Sequence, residues 1–156
     1  MKALIVYDSM YGNTEQIARA IAGAIDESRV LRVDEASNSD LESINLLVIG
    51  SPTHAFRPTK PVQAFIESIP RDALKGIRVA AFDTRIPAGD VGKGLRLFIK
   101  IGGYAAPHIA QTLKKKGGHL IVPPEGFFVK DKEGPLKEGE LERAAGWAKG
   151  ILKSKQ

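Results

Sequence analysis

The chain has 156 residues, enough for one domain with a substantial core, and no cysteine, which excludes disulfides, thiolate metal sites and thiol chemistry. Its formal net charge is +5 and its isoelectric point is about 9.5. The charge divides unevenly: residues 1–50 carry 4 Lys/Arg against 8 Asp/Glu, and residues 51–156 carry 19 against 10. A basic half attracts nucleic acid, an anionic membrane or an acidic protein. With no aromatic-basic interleaving and no nucleic-acid motif, a solvated surface is the simpler reading, and no specific nucleic-acid contact is expected. The N-terminal residues carry no signal-peptide apolar core, and no run reaches the ~18 apolar residues of a membrane span, so a cytoplasmic location is expected.

In chain order, Ala3–Val6 reads as a strand apolar on both faces, the pattern of the centre of a covered parallel sheet. Asp8–Thr14 follows, a short loop of hydroxyl, Gly and Asn residues. It leads into a helix in which Ile17, Ala20, Ile21, Ala24 and Ile25 share a face. Thr14 is the expected N-cap, with Glu15 in the first turn. Val30–Val33 is a second strand, and the polar residues 34–43 form at most a short helix. Leu46–Ile49 is a third strand ending at Gly50. After a loop with Pro52 and Pro58, Pro61 opens a helix striped by Val62, Phe65, Ile66 and Ile69. Ile77–Phe82 is the fourth strand.

Pro107 opens a further helix through Ile109, Ala110 and Leu113, stopped by Gly117-Gly118. His119–Val122 is the fifth strand, closed by Pro123-Pro124, and Phe127-Phe128-Val129 is a short extra strand in the loop that follows. Leu141, Ala144, Ala145, Ala148, Ile151 and Leu152 stripe the last helix, with Trp147 expected to pack there and not to hold a cofactor. Strands alternating with helices, without repeats, predict a single α/β domain over 1–156 with a doubly wound parallel sheet. Ligands of such sheets bind beyond the carboxyl ends of the strands, which brings together the loops at 8–14, 50–60 and 83–94.

The first loop lacks both Gly-x-Gly-x-x-Gly and Gly-Lys-Ser/Thr, so neither a dinucleotide fingerprint nor a triphosphate loop is present. Asp8 stands alone, without the clustered acids of a response-regulator receiver. What remains is a cradle of hydroxyl, amide and backbone N–H donors at a helix N-terminus, without a cation, suited to an anion. The three histidines have no metal-ligand spacing.

Tyr7-Asp8-Ser9-Met10-Tyr11-Gly12-Asn13-Thr14 resembles the phosphate loop of flavodoxins, and Gly50-Ser51-Pro52-Thr53-His54 resembles their second flavin loop. Phe82-Asp83-Thr84-Arg85 and the ending Glu133–Ala144 are similar to a little-characterised bacterial and archaeal branch of flavodoxin-domain proteins. The resemblance implies a flavodoxin-like five-stranded sheet of order 2-1-3-4-5 with helices on both faces, non-covalent FMN and electron transfer. It implies that Ser9, Met10, Tyr11, Gly12, Asn13 and Thr14 hold the phosphate end. Pro52, Thr53, His54 and Phe56 would border the isoalloxazine ring, and Asp83, Thr84 and Arg85 its pyrimidine side. Tyr11 stands where a hydroxyl residue is usual, so its backbone N–H is the expected contact. Phe56 either stacks on the ring or covers apolar surface. His54 either couples proton to electron transfer or bonds its own loop. Arg57 and Arg85 flank the expected ring, where a cation near its N1–C2 edge would favour anionic reduced flavin.

Two family features are missing: an acidic surface, and a Tyr or Trp in the third loop. Instead, residues 91–103 read as an inserted basic amphipathic helix. Leu95, Phe98, Ile99 and Gly102 lie on one face and Lys93, Arg96 and Lys100 on another. Phe98 or Tyr104 would replace the missing aromatic. The basic face is either solvated or docks an acidic redox protein or an anionic membrane surface. The leading expectation is an FMN electron carrier between redox partners. The alternatives are an FMN-dependent NAD(P)H or quinone oxidoreductase, for which no pyridine-nucleotide motif is visible, and a flavin-free binding domain, against which the intact first loop argues.

Overall fold

The computed structural model describes residues 2–54, 56–87 and 103–154. The amphipathic helix expected over 91–103, with Lys93, Arg96, Phe98 and Lys100, lies outside the described residues except for Gly103.

Among the described residues six strands form one sheet: β1 (Lys2–Tyr7), β2 (Glu27–Arg32), β3 (Leu46–Pro52), β4 (Arg78–Arg85), β5 (His119–Leu120) and β6 (Glu125–Phe128). The order is β2-β1-β3-β4-β5, and β6 also pairs with β4; every pairing is parallel. This is the 2-1-3-4-5 order expected. The fifth position differs from expectation in detail. β5 ends at Leu120, not Val122, after pairing with Arg78 and Val79, and β6 resumes against Phe82–Arg85. Pro123 and Pro124 lie between them and have no N–H to donate, so the edge strand breaks and restarts.

Among the described residues four helices cover the sheet: α1 (Asn13–Gly23), α2 (Lys60–Ser68), α3 (Ala105–Lys115) and α4 (Glu140–Lys153). The segment between β2 and β3 contains only short 3-10 turns, Val33–Glu35 and Asn38–Leu41. Strand side chains alternate between faces. Leu4, Val6, Leu47, Ile49, Val79 and Ala81 pack with α2 and α3, while Ala3, Ile5, Leu46, Val48, Ala80 and Phe82 pack with α1 and α4. Both faces are buried, which is why the strands read as continuous apolar runs. Trp147 packs edge-on against Phe82 and Phe127, with ring centres 6.1 and 5.9 Å away.

Two helix details correct the sequence reading. The N-cap of α1 is Gly12, at φ 91°, and Thr14 falls within the first turn. Leu141 is 41% exposed, and the buried stripe of α4 is Glu140, Ala144, Ala148 and Ile151. Glu140 takes the inner position because its carboxylate accepts hydrogen bonds from the Phe128 N–H at 2.6 Å and from Arg143 at 2.7 Å.

Candidate functional site

At the carboxyl ends of β1, β3 and β4 lies a cleft of about 200 Å³. Ser9, Met10, Tyr11, Asn13 and Thr14 line one end; Pro52, Thr53, His54, Thr84, Arg85 and Ile86 line the other, with Val129 and Lys132 from the segment after β6. A second hollow of about 500 Å³ adjoins it, sharing Met10 and His54 and bounded by Arg57, Pro58, Lys60 and Pro61.

The first end is built from Asp8 outward. Asp8 is buried beyond the end of β1, and it does not stand alone. Its carboxylate accepts from Thr59 Oγ1 at 2.6 Å, from the Ser9 N–H at 2.9 Å and from Arg32 at 3.3 Å. Arg32 also donates to the Ser9 carbonyl at 2.8 Å, and Ser51 Oγ accepts from the Thr59 N–H at 3.0 Å. A buried carboxylate with this many donors is a fixed anchor, and it sets the direction of the loop that follows. Ser9 Oγ then accepts from the Gly12 N–H at 3.0 Å, closing the turn into α1.

Gly12 gives α1 no side-chain cap. The first-turn N–H groups of a helix have no intrahelical acceptor, and such an end, with its dipole, is suited to an anion. Thr14 Oγ1 is 2.8 Å from Thr84 Oγ1, tying the start of α1 to the end of β4. Asn13 donates from Nδ2 to the Glu133 carbonyl at 3.2 Å. Gly134, at φ 103°, passes so close that a Cβ there would come within 2.6 Å of the Asn13 amide oxygen. That closeness admits only glycine without rearrangement.

At the other end most polar groups already have partners. Thr53 Oγ1 accepts from the Ala105 N–H at 3.1 Å, and Asp83 accepts from the Ala106 N–H at 2.8 Å. The next residue, Pro107, has no N–H, so these two loops supply acceptors for the first two donors of α3. Asp83 is fully buried within β4 and does not line the cleft. Burial pushes its carboxyl up from the usual range, opposed by Arg85 and by the Ala106 N–H. Arg85 donates to both Asp83 oxygens, from Nε at 2.6 Å and from a terminal nitrogen at 2.8 Å. Its guanidinium lies 3.7 Å from the centre of the Tyr104 ring. It also crosses Gly126, where a Cβ would come within 2.1 Å of Arg85 Nε. Arg85 is thus fixed on three sides, and Tyr104 is stacked on Arg85 while not lining the cleft.

The His54 N–H donates to the Arg57 carbonyl at 2.7 Å and the Arg57 N–H donates back at 3.0 Å. Phe56 sits inside this tight turn at φ 67°, an uncommon conformation for an aromatic residue. It does not line either hollow, and Arg57 lines the second one only.

Of the thirteen cofactor-binding residues expected from sequence, the cleft collects Ser9, Met10, Tyr11, Asn13, Thr14, Pro52, Thr53, His54, Thr84 and Arg85. Gly12 supplies the turn; Phe56 and Asp83 lie outside the lining. The third loop begins at Ile86, because β4 runs on to Arg85. Sequence reasoning missed Ile86, Val129 and Lys132, and the support from Arg32, Ser51 and Thr59. No local pattern marks them: Asn13 and Glu133 are 120 positions apart, and Asp8 and Thr59 are 51 apart. No metal-ligand cluster occurs among the described residues, and no described helix is long and apolar enough to cross a membrane.

The flavodoxin domain model matches residues 4–121. No curated protein sequence matches the chain. Among solved structures, a flavodoxin from the domain Archaea superposes with a TM-score of 0.73 at 21% identity, covering 98% of this chain and 97% of that one. Oxidised flavodoxin 1 from Bacillus cereus gives 0.75 at 21% identity, covering 98% of each chain. Rubredoxin oxygen:oxidoreductase from Desulfovibrio gigas gives 0.69 at 20% identity, with 98% of this chain matching 37% of that one. At these identities the structural likeness speaks to the fold.

Proposed function

The chain belongs to the flavodoxin-domain family, and from that premise we propose that it binds FMN non-covalently and transfers electrons between redox partners. The observation that carries this reading is the convergence of three loops on one cleft, with an uncapped helix N-terminus at one end and a rigid floor at the other. The donor set fits a flavin nucleotide. Ser9 to Thr14 supply hydroxyl, amide and backbone donors for a phosphate. Pro52, Thr53, His54, Thr84, Arg85 and Ile86 bound the space beyond it, where a flat ring would lie.

When bound, FMN supplies the redox chemistry. The chain's own residues anchor the phosphate, hold the ring rigidly and set the charge around it. Arg85, held by Asp83, places a fixed cation along the cleft. His54 is exposed on the wall shared by both hollows.

The test is titration of the purified chain with FMN, read by quenching of flavin fluorescence and by the visible spectrum. Saturable quenching is the expected result; a chain that leaves FMN fluorescence unchanged overturns the reading. A carrier should exchange electrons with a redox protein while oxidising NADH and NADPH negligibly. Rapid pyridine-nucleotide oxidation with a quinone acceptor would assign it to the oxidoreductases of the same fold.

A further inference from the structure

The loop Ser9–Thr14 read as a cradle without a cation, yet the folded chain brings one to it. Two cationic side chains line the cleft among the described residues, Arg85 and Lys132. Arg85 is committed to Asp83 and Tyr104. Lys132 is not. Its backbone N–H donates to Asp131 Oδ1 at 2.8 Å, and no ion pair or hydrogen bond to its ammonium occurs among the described residues.

The backbone that carries Lys132 is closely held. Val129 and Leu136 bridge antiparallel; the Lys130 N–H donates to the Pro135 carbonyl and the Gly134 N–H to the Asp131 carbonyl, both at 2.9 Å. Asn13 then ties this turn to the first turn of α1 through the Glu133 carbonyl, and Gly134 lies against the Asn13 amide. The turn that carries Lys132 is fastened to the start of α1, and its side chain lines the cleft together with Ser9, Asn13 and Thr14. An ammonium and the uncapped start of α1 on one cleft supply two sources of positive charge for a dianion.

We propose that Lys132 is an ionic contact to the phosphate of the flavin nucleotide, closing the cradle from the side opposite Ser9–Thr14. The proposal rests on the FMN reading above. It makes the chain select the phosphorylated flavin over riboflavin by charge as well as by hydrogen bonding. Because Lys132 is solvent-exposed, part of the selectivity is screened by salt.

Lys132→Met and Lys132→Arg are compared with the unaltered chain by fluorescence titration with FMN and with riboflavin, at low and at high ionic strength. Loss of an exposed charge contact should weaken FMN binding by about three- to tenfold in Lys132→Met. Riboflavin affinity should stay within about twofold, and Lys132→Arg should restore most of the loss. The FMN dissociation constant of the unaltered chain should rise with salt more steeply than that of Lys132→Met. Equal weakening of both flavins, or no weakening of either, overturns the role of Lys132 and leaves the FMN reading standing. An unaltered chain that binds neither flavin overturns both. Unchanged thermal unfolding of the variants separates contact loss from misfolding.

Discussion

The two ends of the cleft are built on opposite principles. At the α1 end the donors are left open: Gly12 supplies no cap, first-turn N–H groups face outward, and the ammonium of Lys132 has no partner among the described residues. At the β4 end the polar groups are already spent. Thr53 and Asp83 serve the start of α3, and Arg85 is clamped between Asp83, Tyr104 and Gly126. On the proposed reading, the open end keeps its hydrogen-bonding capacity for the phosphate. On the same reading, the rigid end surrounds the ring with groups that need not reorganise when its charge changes.

Breaking the rigid end should cost the most. Asp83→Ala removes the partner of a nearly buried guanidinium and an acceptor of α3 together. It should lower the unfolding free energy by about 3–5 kcal/mol in urea titration, as for a broken buried ion pair. A loss below about 1 kcal/mol would mean that Arg85 finds another partner.

The support of the open end comes next. Glu140 holds the Phe128 N–H at the root of the turn that carries Lys132. Burial works against its charge, but hydrogen bonds from Arg143 and the Phe128 N–H, with the Arg143 charge, outweigh it and hold the carboxyl below its usual value. The unfolded chain therefore binds this proton more readily than the folded one. The stabilisation is complete above the unfolded value of about 4.3 and is lost as pH falls through the lower folded value. Glu140→Gln should destabilise by about 1.5–3 kcal/mol at pH 7, by the measure of a hydrogen-bonded charge. The gap should narrow below about pH 4. A gap that stays constant with pH removes Glu140 as its source.

Gly134→Ala tests the contact between that turn and α1. A Cβ at positive φ, pressed on Asn13, should cost about 1–2 kcal/mol. An unchanged melting curve would show that the two segments separate readily. The smallest effect concerns the potential. Arg85→Ala should lower the midpoint of the bound flavin by about 20–40 mV, equivalent to less than 1 kcal/mol for one electron, because Asp83 already offsets much of the charge. A spectroelectrochemical titration reads this, and an unchanged midpoint removes Arg85 from the redox role.

Legibility in the sequence followed the same division. Ser9 to Thr14 are contiguous, so a strand, a turn and a helix start could be read from their order. Pro52, Thr53 and His54, expected from the resemblance of Gly50–His54 to a flavin loop, line the same cleft. Asp83 was expected at the ring because Phe82-Asp83-Thr84-Arg85 resembles a flavodoxin-domain segment, but β4 continues through Arg85, paired with β6, and Asp83 is fully buried. Thr14 looked like a cap because hydroxyl residues favour that position. Gly12 took the cap through its positive φ, and the Thr14 hydroxyl went to Thr84. Lys132 was invisible, since Lys130-Asp131-Lys132-Glu133 reads as a solvated charge run.

The sequence by itself determined the elements, their alternation and the turn from β1 into α1, because hydrophobic periodicity and turn chemistry act within about ten residues. Only the tertiary structure decided which polar groups are used up and which remain available. That depends on pairs such as Asp8 with Thr59, Thr14 with Thr84, and Asn13 with Glu133. Their separation along the chain leaves no local signature, and each forms only when the parallel sheet brings the carboxyl ends of its strands side by side. The loop at Ser9–Thr14 was readable as half of the proposed site; the fold adds Lys132 to the lining of the same cleft.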